Sequence, residues 1–149
     1  SPWERAICVR IGLRHMNQTL AVEGTVTGVR DAVDALEAWS GREQVSEAAS
    51  RRMLVALDEI LSNVVRHAVQ DETVLIEMIL VRDGDQVHVE VVDDARPFNP
   101  LLVPPPDTTS PLETREPGGL GIALVRSLTD DVRYERRGDR NRLTMTWRV

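Results

Sequence analysis

Apolar residues recur at two spacings along this chain, and each spacing predicts one kind of element. Short apolar or alternating runs predict six strands, at residues 6–13, 19–22, 74–81, 87–92, 132–136 and 142–148. Helical spacing predicts three helices, at residues 29–39, 46 to about 69 and 120 to about 128. Ser40-Gly41 is expected to end the first helix, and Ser46 to cap the second.

The turns between these elements indicate how the strands pair. Asp83-Gly84-Asp85 and Gly138-Asp139 each predict a hairpin turn, because glycine adopts positive φ at little cost. Residues 94–117 show no regular period and hold seven of the eight prolines, which predicts a functional lid or a disordered segment. The expected fold is an α/β (α+β) two-layer sandwich, with a mixed, mainly antiparallel sheet and helices on one face.

The composition narrows the class of protein. A chain of 149 residues with 42% hydrophobic residues fits one domain, residues 1–149, with its own core. The net charge of -6 argues against a nucleic-acid partner, which would call for a clustered basic surface. All 18 basic residues are arginine, so devices that need a phosphate-binding lysine are excluded. A single cysteine and no long apolar run predict a cytoplasmic protein without a membrane segment.

Glu59 and Asn63 lie four residues apart in the second predicted helix, so their side chains are expected one helical turn from each other. The predicted apolar stripe of this helix points elsewhere; its members are Leu54, Leu57, Leu61, Val64, Val65 and Ala68. Two polar residues on a hydrated face is one interpretation. The other is an acid beside an amide ligand for Mg²⁺, facing a bound phosphate.

Asp93 and a glycine loop are the other candidates for chemistry. Asp93 follows a predicted strand, where it is either a turn residue or an acceptor for the exocyclic amine of adenine. The loop Gly118-Gly119-Leu120-Gly121 opens the third helix, so it is either a tight turn or a phosphate site at the positive end of the helix dipole. Arg115 precedes it, as a solvated loop residue or a phosphate contact.

In this order, the three stretches resemble the GHKL (Bergerat-fold) ATP-binding domains, and among them the bacterial anti-sigma-factor serine kinases of partner-switching systems. Residues 59–68 are similar to that group's N box, residues 93–100 to its G1 box and residues 118–121 to its G2 box. The resemblance implies Glu59 as catalytic base and Asn63 as Mg²⁺ ligand. It further implies a nucleotide site formed with Asp93, Ala95, Gly118, Gly119, Leu120 and Gly121, with Arg115 and Arg66 as possible phosphate contacts.

The resemblance also implies a function. A protein of this kind uses ATP and Mg²⁺ to phosphorylate a STAS-type anti-anti-sigma factor, and it regulates a sigma factor by partner switching. A PP2C-type phosphatase acts on the same antagonist, and the kinase is often a homodimer. Two alternatives stay open at this point: a GHKL module that acts by protein sequestration without catalysis, and a regulatory domain of a larger sensory kinase or phosphatase.

Ala95 departs from the family pattern, which has glycine at that place in the G1 box. An alanine there adds a methyl group to the wall beside adenine and is unfavourable if the backbone needs a positive φ. Weakened ATP binding or a reshaped pocket is therefore expected, and the backbone conformation at Ala95 tests the second of these two causes.

Overall fold

The computed structural model describes residues 17–67, 73–102 and 119–149. Within these ranges the chain forms five strands and three α-helices. The strands are β1 (Asn17–Glu23), β2 (Leu75–Asp83), β3 (Gln86–Asp93), β4 (Asp131–Arg137) and β5 (Arg140–Arg148). The helices are α1 (Val26–Arg42), α2 (Glu47–His67) and α3 (Gly119–Leu128), with a short 3₁₀ turn at Pro100–Leu102.

The sheet confirms the predicted sandwich. Its strand order is β1-β2-β3-β5-β4, and every pairing among the described strands is antiparallel. The two hairpin glycines have the positive φ that the turns require, +58° at Gly84 and +60° at Gly138. The first predicted strand, at 6–13, lies outside the described residues, as does most of the predicted lid.

The three helices cover one face of the sheet, and the core lies between the two layers. Along β5, the alternate residues 141, 143, 145 and 147 are buried against the helices, as a strand with one covered face requires. The largest fully buried side chains of this core include Trp39, Trp147, Leu36, Met53 and Leu61. No helix in the described ranges is long and apolar enough to cross a membrane.

The helix ends differ from the predictions in one respect. α1 does not end at Ser40-Gly41 but continues to Arg42. The Ser40 hydroxyl donates to the carbonyl of Glu37 and lies 2.8 Å from the Ser50 hydroxyl of α2, so it joins two helices instead of ending one. Ser46 does cap α2, because its Oγ accepts from the Ala49 N–H at 3.2 Å.

Trp147 fixes the position of α3 against the sheet. Its side chain is fully buried on β5, and its indole N–H donates to the carbonyl of Leu128, the last residue of α3, at 2.6 Å. A last-turn helix carbonyl has no partner inside the helix, so this bond satisfies an otherwise orphaned acceptor. The other end of α3 has Gly119 and Gly121 in its first turn, so this bond anchors the helix that carries them.

We expect Trp147→Phe to lower the free energy of unfolding by about 1 kcal/mol more than Trp39→Phe does, because only the first change removes a buried hydrogen bond. Trp39 is the matched control: it is equally buried, and its indole has no hydrogen-bond partner within the described residues. Urea denaturation of both variants measures the difference. Equal losses of stability would show that the Leu128 bond contributes nothing.

Candidate functional site

A cleft opens where α2 meets the ends of β3 and β5, and it gathers several of the predicted site residues. Asn63, Asp93 and Ala95 all line it, together with Ile60, Val64, His67, Val91, Arg96, Phe98, Pro100, Tyr134, Asn141 and Leu143. The walls are largely apolar, and their polar side chains come from α2, from the strands and from the loop after β3. This combination is typical of a small-molecule site, in which a few polar groups orient a ligand held by apolar walls.

The two oxygens of Asp93 have different surroundings. Oδ1 accepts from the Ala95 backbone N–H at 3.0 Å and from the Asn141 side-chain amide at 2.9 Å. No group in the described ranges donates to Oδ2, although the residue is only 6% exposed. Since Asp93 lines the cleft, Oδ2 is the oxygen that remains for a ligand, and it can accept a hydrogen bond from an amine.

The neighbouring Asp94 has a different task. Its Oδ1 accepts from the Leu75 backbone N–H at 2.8 Å, and its own N–H donates to the Leu75 carbonyl at 3.3 Å. These bonds join the end of β3 to the start of β2. Of the two consecutive aspartates, Asp94 therefore serves the sheet, and Asp93 faces the cleft.

The environment of Asp93 changes its acidity. Burial raises the pKa of the Asp93 carboxyl, while the hydrogen bonds from Asn141 and from the Ala95 N–H lower it in part. The charge of Asp94 raises it further, and that of Arg136 lowers it. The net result is a carboxyl that takes up a proton at a higher pH than an ordinary aspartate.

Asn63 corrects one expectation from the sequence. The apolar stripe was placed at Leu54, Leu57, Leu61, Val64, Val65 and Ala68, with Asn63 on a hydrated face. Instead Asn63 is only 5% exposed and lies on the buried line of α2, which also contains Met53, Ala56, Leu57 and Ile60. The amide thus faces the cleft, where its Oδ1 accepts from the guanidinium of Arg66, an exposed residue, at 3.2 Å.

Glu59 lies one turn before Asn63 and contacts a different segment. A Cβ built on Gly121 would meet Glu59 Oε2 closer than real atoms approach, and it would stand 3.3 Å from Glu59 Cδ. Because Gly121 has no side chain, it leaves room for the carboxylate of Glu59. The contact brings an acid on α2 to the first turn of α3, whose backbone N–H groups have no partner inside the helix.

Ala95 is not strained. The only non-glycine residue with positive φ in the described ranges is Gln44, so the backbone at Ala95 has a conformation that alanine adopts freely. Its methyl group belongs to the cleft wall. The condition under which alanine would be unfavourable at this position, a left-handed backbone, is therefore not met.

His67 and Phe98 narrow the cleft. Their rings are stacked with centroids 4.1 Å apart, and both line the cavity. Burial lowers the pKa of His67, and the nearby charges of Arg66 and Arg96 lower it further, so the ring is neutral at neutral pH. The cleft volume is about 40 Å³, which is room for a few water molecules and less than that of a cavity that binds benzene.

Asn141 is a site residue that the sequence predictions missed. It lies directly opposite Asp93 across the β3–β5 ladder, and its amide contacts Asp93, the loop after β3 and the Tyr134 hydroxyl. One signal was available in the sequence: Asn141 occupies the inward position in the alternation that continues with Leu143, Met145 and Trp147. A polar residue at an inward position needs partners, and such residues often mark a site.

Some predicted site residues are only partly described. Gly118 and Arg115 lie outside the described residues, so the structure does not test their predicted roles. Gly119 and Leu120 open α3, and for these two only the helical backbone is described.

Comparison with known proteins identifies the kind of domain. The family model described as "Histidine kinase-like ATPase domain" matches residues 22–147. A serine/threonine-protein kinase, BtrW of Bordetella bronchiseptica, is 29% identical over 129 residues, which cover 86% of this chain and 91% of BtrW. The serine-protein kinase RsbW of Bacillus mycoides is 30% identical over 84 residues, or 54% of this chain and 52% of RsbW.

A solved structure supports the fold. The RsbU and RsbW domains of Rv1364c from Mycobacterium tuberculosis superpose with a TM-score of 0.64 at 17% identity, covering 89% of this chain and 32% of that one. This likeness concerns the fold alone. The chain spans about a third of that larger protein and about half of the Bacillus relative.

The raised pKa of Asp93 predicts pH-dependent ligand binding, and the family makes ATP the ligand to test. An amine donor on the ligand needs the ionised carboxylate, so ATP affinity is expected to be full above the raised pKa and to fall as the pH falls through it. Titration calorimetry over a descending pH series measures this. Purine riboside triphosphate, which lacks the amine but has the same phosphates, is the control and should show a flatter profile. Parallel profiles for the two nucleotides would contradict the role of Asp93.

Proposed function

We propose that this chain, which belongs to the histidine kinase-like ATPase domain family, is an ATP-dependent protein serine/threonine kinase. The names of its relatives support this, since BtrW is a serine/threonine-protein kinase and RsbW a serine-protein kinase. The alignment with BtrW covers 91% of that protein, so the likeness extends over nearly its whole length. The observation that carries the proposal is the contact of Glu59 with Gly121, at the first turn of α3.

In the proposed nucleotide site, Asp93 reads the base. Its Oδ2 has no partner in the described part of the protein, and the family ligand, ATP, carries an exocyclic amine that can donate to it. The phosphates lie at the N-terminus of α3, where free N–H groups and the helix dipole favour anions. Gly118, Gly119, Leu120 and Gly121 supply that loop, and Arg115 and Arg66 add positive charge.

Asn63 fits the role of a Mg²⁺ ligand. Its Oδ1 is an amide oxygen at the cleft, the kind of hard ligand that Mg²⁺ takes in small number while phosphates and water complete its shell. The positively charged guanidinium of Arg66 already donates a hydrogen bond to this oxygen at 3.2 Å. We propose that Arg66 moves from Asn63 to the phosphates when the metal binds; the metal supplies charge neutralisation of the phosphates.

Glu59 is the proposed catalytic base. Its carboxylate accepts the proton of the serine or threonine hydroxyl as the hydroxyl oxygen attacks the γ-phosphorus and the bond to the ADP oxygen breaks. Gly121 has no Cβ, so the Glu59 carboxylate can lie beside the proposed phosphate loop. Base and phosphate site are thus placed by a single contact between α2 and α3.

We propose that the cleft widens when nucleotide enters, because its volume of about 40 Å³ is less than that of a cavity that binds benzene. The rings of His67 and Phe98 both line the cleft, and they are stacked with their centroids 4.1 Å apart. We propose that these two rings separate when the cleft widens. Residues 94–117 act as the lid in this proposal, and the chain 1–149 acts as one domain.

The proposed protein substrate is a STAS-type anti-anti-sigma factor, phosphorylated on serine or threonine in the cytoplasm. In this proposal the kinase regulates a sigma factor by partner switching, a PP2C-type phosphatase reverses the modification, and the chain can form a homodimer. The names of the relatives support the kinase class. A pull-down with this protein as bait, from a lysate of the cells in which it occurs, followed by phosphosite mapping, identifies the partner.

The direct test is transfer of label from γ-labelled ATP with Mg²⁺ to a recombinant STAS-domain protein. Glu59→Gln is expected to lower the transfer rate about 100-fold or more while ATP binding is retained, because only proton acceptance is lost. Equal rates for wild type and variant would remove Glu59 as the base. A wild-type protein that binds ATP and never labels the substrate would instead favour the module that acts by protein sequestration. Backbone strain at Ala95 does not support that alternative, because Ala95 has no positive φ.

Gly121→Ala tests the contact itself. The new methyl group displaces the Glu59 carboxylate, whose flexible side chain moves at little cost, so the protein should fold while transfer falls by about 10²-fold. The matched control is Gly41→Ala, a helical glycine with open space around its Cβ position. It is expected to gain about 0.5–1 kcal/mol of stability and keep its transfer rate. Unchanged transfer by Gly121→Ala would show that the position of Glu59 is unimportant.

A further inference from the structure

Asn141 is a buried polar residue beside the cleft that the proposed mechanism has not used. It is 6% exposed, and it pairs with Asp93 in the β3–β5 ladder. Its Nδ2 donates to Asp93 Oδ1 at 2.9 Å and to the Arg96 carbonyl at 2.9 Å, with the Ala95 carbonyl at 3.3 Å. Its Oδ1 accepts from the Phe98 N–H at 3.3 Å.

The chemistry of these neighbours fixes which way the amide points. Nδ2 faces a carboxylate and two carbonyls, all of them acceptors, while Oδ1 faces the Phe98 N–H and the Tyr134 hydroxyl, both donors. A rotation by half a turn would set oxygen against oxygen on one side and N–H against N–H on the other. The donor side of Asn141 is therefore held towards Asp93.

This orientation fixes the plane of the Asp93 carboxylate. The terminal torsion of an aspartate is broad, so the side chain alone does not hold the carboxylate in one plane. With Asn141 and the Ala95 N–H both on Oδ1, that oxygen is occupied and Oδ2 is left towards the cleft. The same amide holds the backbone of residues 95–98, the wall that carries Phe98.

We propose that Asn141 is a positioning residue for nucleobase selectivity, which fixes the Asp93 carboxylate so that Oδ2 meets the 6-amine of adenine. This inference rests on the proposed function, because it presumes that the cleft binds ATP. Asn141 acts through Asp93 and the adjoining wall. Its loss should therefore remove the preference for the amine more than the binding of the rest of the nucleotide.

The experiment compares ATP with purine riboside triphosphate, which lacks the 6-amine, by calorimetric titration in the presence of Mg²⁺. Wild type is expected to prefer ATP. In Asn141→Leu the preference should fall about tenfold or more, the loss of one hydrogen bond to a charged group, with a small change for the analogue. Equal weakening of both nucleotides, with the preference kept, would mean that Asn141 only supports the fold and would overturn the positioning role.

Thr144→Val is the matched control. Thr144 lies three residues further along β5 on the opposite face of the sheet, away from the cleft. Both nucleotides should bind this variant as they bind wild type. A change of preference in Thr144→Val as large as in Asn141→Leu would overturn the assignment, because selectivity would then follow any polar loss on β5.

Asn141→Asp provides a second variant of nearly the same size, in case the leucine variant does not fold. Two neighbouring carboxylates repel each other and hold a proton at higher pH, so the pH midpoint of ATP binding should move upward. An unchanged midpoint would overturn the proposal. Failure of the proposed function gives a different result: wild type that binds neither nucleotide removes the ATP site itself, whereas wild-type binding with an unaltered preference in the variants removes only the role of Asn141.

Discussion

A carboxylate buried at the end of a central strand is the constraint on which this site depends. Burial of Asp93 penalises its charged form, so the fold must supply donors to keep the ion in place, and it supplies them from both directions. The Ala95 N–H arrives from the loop that follows β3, and the Asn141 amide arrives from the neighbouring strand. Both bonds go to the same oxygen, so stabilising the charge also directs the second oxygen into the cleft.

Helix α2 turns two polar residues, one helical turn apart, to different surroundings. Asn63 belongs to its buried line and reaches the cleft, while Glu59 stands to the side and contacts the start of α3. The spacing of four residues places their side chains near each other, and the packing of α3 decides what Glu59 meets. The anchoring of α3 by Trp147 through Leu128, at the opposite end of that helix, therefore contributes to the placement of the acid.

Two contacts between the protein's own side chains lie at the cleft. Arg66 places a cation at the amide oxygen of Asn63, and the stacked rings of His67 and Phe98 fill part of the space that a base would need. A ligand can shift such an equilibrium only as far as it binds the open state more tightly. Separating the two rings and releasing Arg66 from Asn63 both cost free energy, and these costs lower the apparent affinity for nucleotide.

The sequence by itself determined most of the elements and the family of the fold, because spacing, caps and turn glycines are local properties that a strand or helix expresses wherever it lies. It also singled out Glu59, Asn63, Asp93 and the glycine loop, although it placed Asn63 on the wrong face of α2. Tertiary structure alone decided three points. It buried the Asn63 line by setting α2 against the sheet, joined Glu59 to Gly121 across two helices, and made Asn141 the partner of Asp93 by the register of β5 on β3. Each of these contacts joins residues distant in sequence, and their distance is fixed by packing and strand register, which no local pattern along the chain encodes.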